Sequence, residues 1–268
     1  ISYQCAWMQT YYQDEWIASF LDHEPDKRKE AAINIARSFG YSVKSLDINT
    51  SGKRWEIVED ELVSPLTTIK GLGLAAIDKG VIARKVNKKS LDAMCRAGAM
   101  ESLMDDRFFG DKHFWSAVVV DKPKNKKKLR ENIEKYKDEG TFSKGERINH
   151  LQALTGIYPN NMVVPVKAYG FFEMQGIKPI SEYDPELGKA WCVPTEVIAR
   201  KTKTGKPYYQ VVVIDSNMKT QRINCWGVDP TKDFIYPHRL YVLEWPQFNA
   251  TWGFSTRGGL SRNWKLLG

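Results

Sequence analysis

The sequence has few cysteines and no long apolar run. Its four cysteines, Cys5, Cys95, Cys192 and Cys225, lie far apart and never form a Cys-x-x-Cys pair. This spacing argues against a zinc knuckle and a disulfide framework, and it favours a reducing compartment. No uninterrupted apolar stretch approaches the roughly 20 residues that a helix needs to cross a bilayer. We therefore expect a cytoplasmic protein.

The sequence also lacks the usual patterns of catalytic residues. Phosphoryl transfer by two metal ions needs converging carboxylates, which polymerases and nucleases often display as Asp-x-Asp. No Asp-x-Asp occurs, and the densest acidic groups, 59–61 and 105–106, have the sequences of turns or helix ends. The four histidines, His23, His113, His150 and His238, have no Cys or Ser partner at a catalytic spacing. We therefore expect no catalytic residue, metal site or cofactor in this chain.

Positive charge is what the sequence has in excess. Its 40 Lys and Arg residues against 32 Asp and Glu residues give a net charge of +8. Such an excess attracts polyanions, and nucleic acid is the natural candidate, although many basic proteins bind none. Five lysines and one arginine fall within 121–130. A solvated helix and a DNA contact are the two interpretations of that run.

The hydrophobic pattern separates a helical part from a later β-rich part. A length of 268 residues with 42% hydrophobic content favours more than one module. Large aromatic residues recur at helical spacing over 1–21 and predict a helix that is buried on one face. After residue 185 several short β-rich runs follow, separated by turns such as Thr204–Pro207. Such runs are what a small β-barrel needs.

Several short blocks, in a fixed order, resemble the alpha subunit of bacterial DNA polymerase III, a replicative DNA polymerase of the C family. They are Ile1–Gln4 with Trp7 and Tyr12, Phe39–Tyr41 with Asp47–Asn49, Ile69–Gly73, Val86–Lys89 with Ala97–Ala99 and Leu103, Leu154–Tyr158, and Gly188–Lys189 with Val197, Lys203, Gly205 and Asp215. Each block alone is common, but their order is specific. Between Gly80 and Asn87 the chain is shorter than the family pattern. A compact, diverged chain of this kind would suit a phage-encoded polymerase.

The resemblance implies a multi-domain α+β fold from the C-terminal portion of such a polymerase. A mainly α-helical N-terminal part with a helix-hairpin-helix would precede a C-terminal all-β barrel of the oligonucleotide-binding (OB) fold. The predicted domains are 1–60 (end of the fingers, helical with short strands), 61–105 (helix-hairpin-helix, duplex-binding), 106–187 (charged helical connector) and 188–268 (OB fold).

The motif Ile69–Gly73 is the predicted hairpin. Glycines there let the backbone turn tightly, so that amide N–H groups meet a DNA phosphate. The predicted duplex-contacting residues are Lys70, Gly71, Gly73, Lys79, Arg84, Lys85, Lys88 and Lys89. Phosphate contacts position a duplex and read no sequence. The alternative interpretation is a turn that packs two helices together without DNA.

The β-rich part is predicted to bind single strands, because aromatic rings stack on any base and basic residues follow the backbone. The predicted residues are Lys201, Lys203, Lys206, Tyr208, Arg222 and Trp226, with Trp252, Arg257 and Arg262 as further candidates. Aromatic residues also fill the core of a barrel. The sequence leaves open which of them do so here.

The resemblance therefore implies the DNA-binding portion of a DNA-directed DNA polymerase, a nucleotidyltransferase, in a bacterial or phage-infected cell. Its catalytic palm aspartates and their Mg²⁺ would lie outside this chain. Expected partners are duplex and single-stranded DNA, the palm, thumb and fingers, and replisome proteins such as a sliding clamp. The family's clamp-binding motif is matched only poorly, at Gln152–Leu154. The alternatives are a stand-alone single-strand or duplex DNA-binding accessory protein with no polymerase attached, and a scaffold for a replisome partner.

Overall fold

A computed structural model of the chain describes residues 2–77, 86–217 and 219–267. The chain divides into two compact units, Ile1–Tyr158 and Pro159–Gly268. The first unit is mainly helical, and the second is built around a β-sheet. The predicted order, a helical part followed by a β-rich part, is therefore confirmed.

Eight helices are described in the first unit. They are α1 (Ser2–Tyr11), α2 (Gln13–His23), α3 (Asp26–Ser38), α4 (Leu74–Ala76), α5 (Lys88–Arg96), α6 (Asp111–Trp115), α7 (Lys126–Lys135) and α8 (Lys144–Thr155). Helix α6 continues as a π-helical segment over Ser116–Val120, and 3₁₀ turns lie at Leu66–Thr68, Glu101–Leu103 and Lys137–Glu139.

The aromatic-rich start of the chain forms two helices rather than one. Helix α2 buries Ile17 and Leu21, whereas α1 has no buried residue among those described. The side chains of Tyr3 and Tyr11 are 80% and 69% exposed. Trp7 and Tyr11 contact each other on the surface of α1, with ring centroids 5.5 Å apart. The prediction of a buried face is thus right for α2 and wrong for α1.

Local sequence sets both ends of α8. The Ser143 side chain accepts a hydrogen bond from the Glu146 N–H, and the Glu146 carboxylate accepts one from the Ser143 N–H, which completes a capping box. These bonds, with a further one from Lys112, lower the pKa of Glu146 to about 2. The helix ends at Gly156, whose φ of 76° is a left-handed value that favours glycine.

A small sheet completes the first unit. Its strands are β1 (Ser42–Lys44), β2 (Glu56–Val58) and β3 (Glu61–Val63), with β3 in the centre, parallel to β1 and antiparallel to β2. Glu59 and Asp60 form the turn between β2 and β3 with φ values of 54° and 62°. Both central residues of a type I′ hairpin turn have positive φ. The acidic group at 59–61 is therefore a turn with the first strand residue of β3.

Two apolar clusters form the core of the first unit. One joins α2 and α3 to the small sheet, and Leu21 and Leu62 are fully buried in it. The other surrounds α5 and contains Met94 together with Ile69 and Leu72 from the predicted hairpin. Ile69 is 0% exposed and Leu72 is 3% exposed. These two residues therefore pack the hairpin against the rest of the unit.

The second unit combines short helices with a curled sheet. Its helices are α9 (Asn160–Val163), α10 (Val166–Met174) and α11 (Leu260–Asn263), and a 3₁₀ turn lies at Ile180–Glu182. Its strands are β4 (Lys178–Pro179), β5 (Lys189–Lys201), β6 (Pro207–Ile214), β7 (Gln221–Trp226), β8 (Leu240–Glu244), β9 (Gln247–Asn249), β10 (Gly253–Arg257) and β11 (Trp264–Leu267).

The strand order shows why the sheet curls. The order is β11-β8-β5-β6-β7-β10-β9, in which β5, β6 and β7 form an antiparallel meander and β10 runs parallel to β7. Strands β8 and β9 lie near opposite ends of this order, although only Trp245 and Pro246 separate them in the chain. The sheet therefore bends back on itself as a half-barrel. This arrangement is consistent with an OB-like fold.

Contacts between Trp245 and Gly188 hold the bend between β8 and β9. The Trp245 N–H donates a hydrogen bond of 2.6 Å to the Gly188 carbonyl, and Trp245 has a φ of 53°. A Cβ atom on Gly188 would lie 2.5 Å from the indole ring, and Gly188 itself has a φ of 65°. Both the close approach and the left-handed backbone require glycine at this position.

The residues before Gly188 belong to the same unit as the strands. Phe172 of α10 stacks on Trp191 of β5 with ring centroids 5.1 Å apart, and both rings are buried. Ile180 is 0% exposed and lies in the core cluster of the sheet, beside residues such as Val211. The predicted domain boundary at 188 therefore falls inside the second compact unit.

Candidate nucleic-acid interface

The predicted hairpin Ile69–Gly73 joins the 3₁₀ turn Leu66–Thr68 to α4. Gly71 has a φ of 89°, a left-handed value, whereas Gly73 has a φ of −83° and a ψ of 166°. A Cβ atom added at either glycine meets no described atom within 4 Å. The turn therefore depends on glycine at Gly71, and Gly73 has an extended backbone that any residue adopts. Both glycines are exposed.

Lys70 lies at the C-terminal end of α8. Its backbone N–H donates to the Leu154 carbonyl at 2.8 Å, and its Nζ donates to the Ala153 carbonyl at 3.1 Å. The end of a helix carries unsatisfied carbonyl groups and a partial negative charge, so an ammonium group there is stabilising. Lys70 therefore already contacts the carbonyl groups at the end of α8, whereas the sequence predicted that it contacts phosphate.

The other predicted duplex contacts divide into two groups. Lys79, Arg84 and Lys85 lie outside the described residues. Lys88 and Lys89 are exposed in the first turn of α5, which the side chain of Asn87 caps. The Nζ of Lys88 donates a hydrogen bond of 3.3 Å to the Val120 carbonyl.

The second unit carries an aromatic pair on the outward face of its sheet. Tyr208 of β6 lies opposite Trp226 of β7, and their rings stack with centroids 4.5 Å apart at an interplanar angle of 28°. The adjacent residue on each strand, Tyr209 on β6 and Cys225 on β7, is buried in the core. Because side chains alternate between the faces of a sheet, Tyr208 and Trp226 point away from that core. Both are partly exposed.

Two arginines extend this pair across four strands. Arg200 of β5 lies opposite Tyr208, and Arg257 of β10 lies opposite Trp226. Arg200, Tyr208, Trp226 and Arg257 therefore form one outward row, with a cation at each end and two stacked rings between them. Residues opposite each other in a sheet share a face. Arg200 was not among the predicted site residues, since only the strand register places it here.

Two amides lie beside the outward row. Gln210 accepts a hydrogen bond of 3.1 Å from Arg200 Nε, and its Nε2 lies 3.5 Å from the Asn224 Oδ1. Gln210 and Asn224 occupy opposite positions on β6 and β7. An arginine can only donate, so it fixes the oxygen of the Gln210 amide towards itself. With its oxygen towards Arg200, Gln210 directs its NH₂ group towards the side-chain oxygen of Asn224.

The remaining predicted single-strand contacts surround the same face. Lys201, Lys203 and Lys206 lie at the tight connection between β5 and β6, and Arg222 lies on β7. All four side chains are exposed. Within the part of the chain that the structure describes, no carboxylate lies within 4.0 Å of any of these four cationic groups. The face therefore presents unneutralised positive charge beside the aromatic pair.

The structure separates the other aromatic candidates. Trp252 is 74% exposed in the turn between β9 and β10, whereas Tyr241 and Trp264 are buried and contact each other with ring centroids 5.5 Å apart. Arg262 is exposed in α11. The sequence left open which aromatic rings fill the core. The register and burial assign Tyr208, Trp226 and Trp252 to the surface.

The histidines occupy structural positions in the described part of the chain. His113 is fully buried, accepts a hydrogen bond at Nδ1 from the Phe109 N–H at 3.0 Å and has its Nε2 2.8 Å from the Ile133 carbonyl. Burial and the nearby Arg96 lower the pKa of His150. No group of three or more His, Cys, Asp and Glu side chains among the described residues is placed to hold a metal ion. No described helix is long and apolar enough to cross a membrane.

Comparison with known proteins supports the resemblance to a replicative polymerase. The chain is 29% identical to the DNA polymerase III subunit alpha of Caulobacter vibrioides over 129 residues, which cover 40% of this chain and 11% of that protein. It is 28% identical to the protein of the same name from Thermus aquaticus over 127 residues, covering 39% of this chain and 10% of that protein. No family model matches the chain.

The similarity covers more of this chain in a chlamydial relative. The DNA polymerase III subunit alpha of Chlamydia trachomatis is 27% identical over 144 residues, which cover 53% of this chain and 10% of that protein. The chain thus spans about a tenth of the length of the curated relatives that it matches. Part of it is similar to part of a DNA polymerase III alpha subunit, as its motifs predicted.

Proposed function

We propose that this chain is a DNA-binding portion of a replicative DNA-directed DNA polymerase. The hairpin region of the first unit contacts duplex DNA, and the OB-like sheet of the second unit binds the single strand. Mg²⁺ and the catalytic aspartates belong to a palm outside this chain. Its partners are DNA and the other parts of the polymerase. The host compartment is the cytoplasm of a bacterial or phage-infected cell.

The outward row is the observation that carries this proposal. Single-strand binding proteins combine cationic groups that follow the backbone with aromatic rings that stack on bases. Arg200 and Arg257 flank the stacked rings of Tyr208 and Trp226, and exposed lysines lie at the adjacent β5–β6 connection. A base stacks on an outer ring face of the pair while its phosphates contact the arginines. The similarity to DNA polymerase III alpha subunits supports DNA as the ligand.

The duplex role rests on the hairpin and on the start of α5. Gly71 and Gly73 are exposed, and no described atom lies within 4 Å of a Cβ atom at either, which supports the approach of a phosphate to the backbone amide groups. Lys88 and Lys89 add exposed charge at the first turn of α5. Such contacts hold a duplex without reading its sequence. Lys79, Arg84 and Lys85 remain predicted duplex contacts by sequence alone.

A titration of labelled single strands tests the outward row. Trp226→Ala should weaken binding of a thymine oligonucleotide by about 1–3 kcal/mol, which is the usual contribution of one stacked base. Tyr208→Ala should have a similar effect. Phe234→Ala serves as a matched control, because Phe234 is also exposed, at 59%, but lies outside the sheet face. Fluorescence anisotropy at two salt concentrations measures the parent and each variant.

The expected pattern separates stacking from charge. The aromatic substitutions should lower affinity without changing the salt dependence, since no phosphate contact is lost. Arg257→Gln should lower the salt dependence by about 0.7, the value for one contact with a single strand. If Trp226→Ala and Phe234→Ala bind single strands as tightly as the parent, the outward row is not the binding surface and the proposal fails.

A further inference from the structure

A basic corner forms where the π-helical segment after α6 leads into α7. We define it as Lys122, Lys124, Lys126, Lys127 and Arg130. All five side chains are exposed. Among the described residues, none of the five has a carboxylate within 4.0 Å. The charge of the basic corner is therefore open to a ligand.

Asp121 and Glu131, beside the corner, have lysine partners outside the defined set. Lys128 lies 3.7 Å from Asp121 and 3.9 Å from Glu131, and Lys135 lies 3.3 Å from Asp121. Two lysines outside the defined set thus take up the local negative charge. The remaining cationic groups have no internal counterpart, which gives this part of the first unit a positive field.

The corner has a fixed backbone, unlike a solvated linker. Asn132 of α7 is 0% exposed, and its Nδ2 donates to the Ala117 carbonyl at 3.0 Å and to the Asp121 carbonyl at 2.5 Å. Asn125 caps α7 by accepting a hydrogen bond from the Lys128 N–H at 2.8 Å. Both ends of the segment that carries the lysines are therefore held in place. Charges on a fixed backbone lose less conformational entropy when they bind.

A tertiary contact brings the start of α5 to the same place. The Nζ of Lys88 donates to the Val120 carbonyl, 3.3 Å away. Only five residues separate Val120 from the first residue of α7, Lys126. Even a fully extended chain spans at most about 20 Å over that length. Lys88 and Lys89 therefore extend the basic corner into one surface.

The arrangement of charge is unfavourable for the protein alone. The first turns of α5 and α7 contain lysines and no acidic residue. Cations at the positive end of a helix dipole are destabilising, and like charges in one place repel each other. A bound polyanion removes both effects. A surface that served only solubility would gain from acidic residues at these two positions.

We propose that the basic corner, with Lys88 and Lys89, is a binding surface for the phosphodiester backbone of duplex DNA. Lysines act as point charges towards phosphate. The run 121–130 contains no aromatic residue, so it offers no platform for stacking unpaired bases. A duplex, by contrast, presents a stiff and regular array of phosphates. This inference rests on the proposed DNA-binding function of the chain, and the surface adds duplex contacts away from the hairpin glycines that read no sequence.

The test compares two variants of the full chain with equal loss of charge. The corner variant carries Lys122→Gln, Lys124→Gln, Lys126→Gln and Lys127→Gln. The control variant carries Arg28→Gln, Lys44→Gln, Lys137→Gln and Lys144→Gln, four exposed cations elsewhere in the first unit. A labelled duplex of about 20 base pairs is titrated at several salt concentrations. A thymine oligonucleotide and a polyglutamate peptide are titrated in parallel.

The corner variant should bind the duplex at least tenfold more weakly at ~0.1 M salt, with a salt slope lower by about 3, since each phosphate contact contributes about 0.9. The control should lower the slope by less than one. The corner variant should also unfold at the same or a higher temperature than the parent, because its lysines oppose the α7 dipole. A merely structural role would instead lower its melting temperature.

Two results would overturn the proposal. One is a salt slope for duplex binding that falls equally in the corner and control variants, which would show a general effect of net charge. The other is loss of polyglutamate or thymine-oligonucleotide binding with duplex binding intact, which would assign the surface to an acidic protein segment or to single strands. Should the fourfold variant fold poorly, Lys122→Gln with Lys124→Gln alters only the loop before α7, and an unchanged slope there also refutes the surface.

Discussion

Gly71 and Gly73 provide a matched pair of substitutions within one turn. Both are exposed, and a Cβ atom at either position meets no described atom within 4 Å. They differ in backbone conformation, with φ values of 89° at Gly71 and −83° at Gly73. An alanine at each position therefore tests the backbone, because neither added Cβ atom clashes with a described residue.

The expected effects have opposite signs. Gly71→Ala forces an L-residue into a left-handed conformation, which costs about 1–2 kcal/mol. Gly73→Ala keeps an extended backbone and lowers the entropy of the unfolded chain, which stabilises by about 0.4–1 kcal/mol. The two variants should therefore differ by roughly 2 kcal/mol in the free energy of unfolding. Gly73→Val should be tolerated as well, because β-branched residues favour an extended backbone.

Chemical denaturation followed by tryptophan fluorescence measures the difference, and thermal melting should separate the variants by about 4–8 °C. Equal stabilities would refute the assigned conformation of the turn. The same variants then test duplex contact. Since Gly73→Ala leaves the fold intact, weaker duplex binding by that variant reports a phosphate that approaches the backbone closely. Unchanged binding would make the hairpin a packing turn, in keeping with the burial of Ile69 and Leu72.

Two further predictions concern pH and the extent of the second unit. Burial and Arg96 lower the pKa of His150, so the folded state binds fewer protons than the unfolded state. The free energy of unfolding should therefore be greatest above about pH 6.5 and decrease as the pH falls below it. His150→Gln should weaken this pH dependence in urea titrations, and an unchanged pH dependence in that variant would contradict the assignment. A fragment of residues 159–268 should unfold cooperatively. A fragment of 188–268 should have a free energy of unfolding lower by several kcal/mol, because it lacks Ile180 and leaves Trp191 uncovered. Equal denaturation midpoints for the two fragments would show that the predicted boundary at 188 is adequate.

The β-rich part shows what alternation along a strand can and cannot predict. The runs that form β5, β6, β7 and β8 were recognisable from their composition and turns. Tyr208 and Tyr209 are adjacent, however, and a one-residue shift would exchange the buried ring for the exposed one. The sequence alone does not fix that choice, which depends on the pairing of β6 with β7. Arg200 was missed for the same reason, because its place in the outward row depends on register across four strands.

The first unit shows the same limit for helices. Spacing predicted helical structure for the aromatic residues near the start, and it is present. The same spacing predicted a buried face, yet Tyr3 and Tyr11 are exposed, since α1 packs no residue into the described core. Periodicity identifies the face of a helix that can be buried. Whether that face is covered depends on contacts that the periodicity does not contain.

The lysines of the first unit show that the sequence alone also does not reveal which charges already have a partner in the fold. By sequence, Lys70 in a glycine-rich hairpin was a stronger candidate for DNA contact than the lysines of 122–127, which resembled a solvated run. In the fold, the Nζ of Lys70 donates to a carbonyl 83 residues away in sequence, at the end of α8. The lysines of the basic corner have no such partner among the described residues. An ammonium group that donates to a helix end has one of its three donors occupied and its position fixed there, whereas the lysines of the basic corner keep all three donors for a phosphate. The basic corner therefore offers cationic groups that are available to a phosphate, and Lys70→Ala would report on the docking of α8 before it reported on DNA.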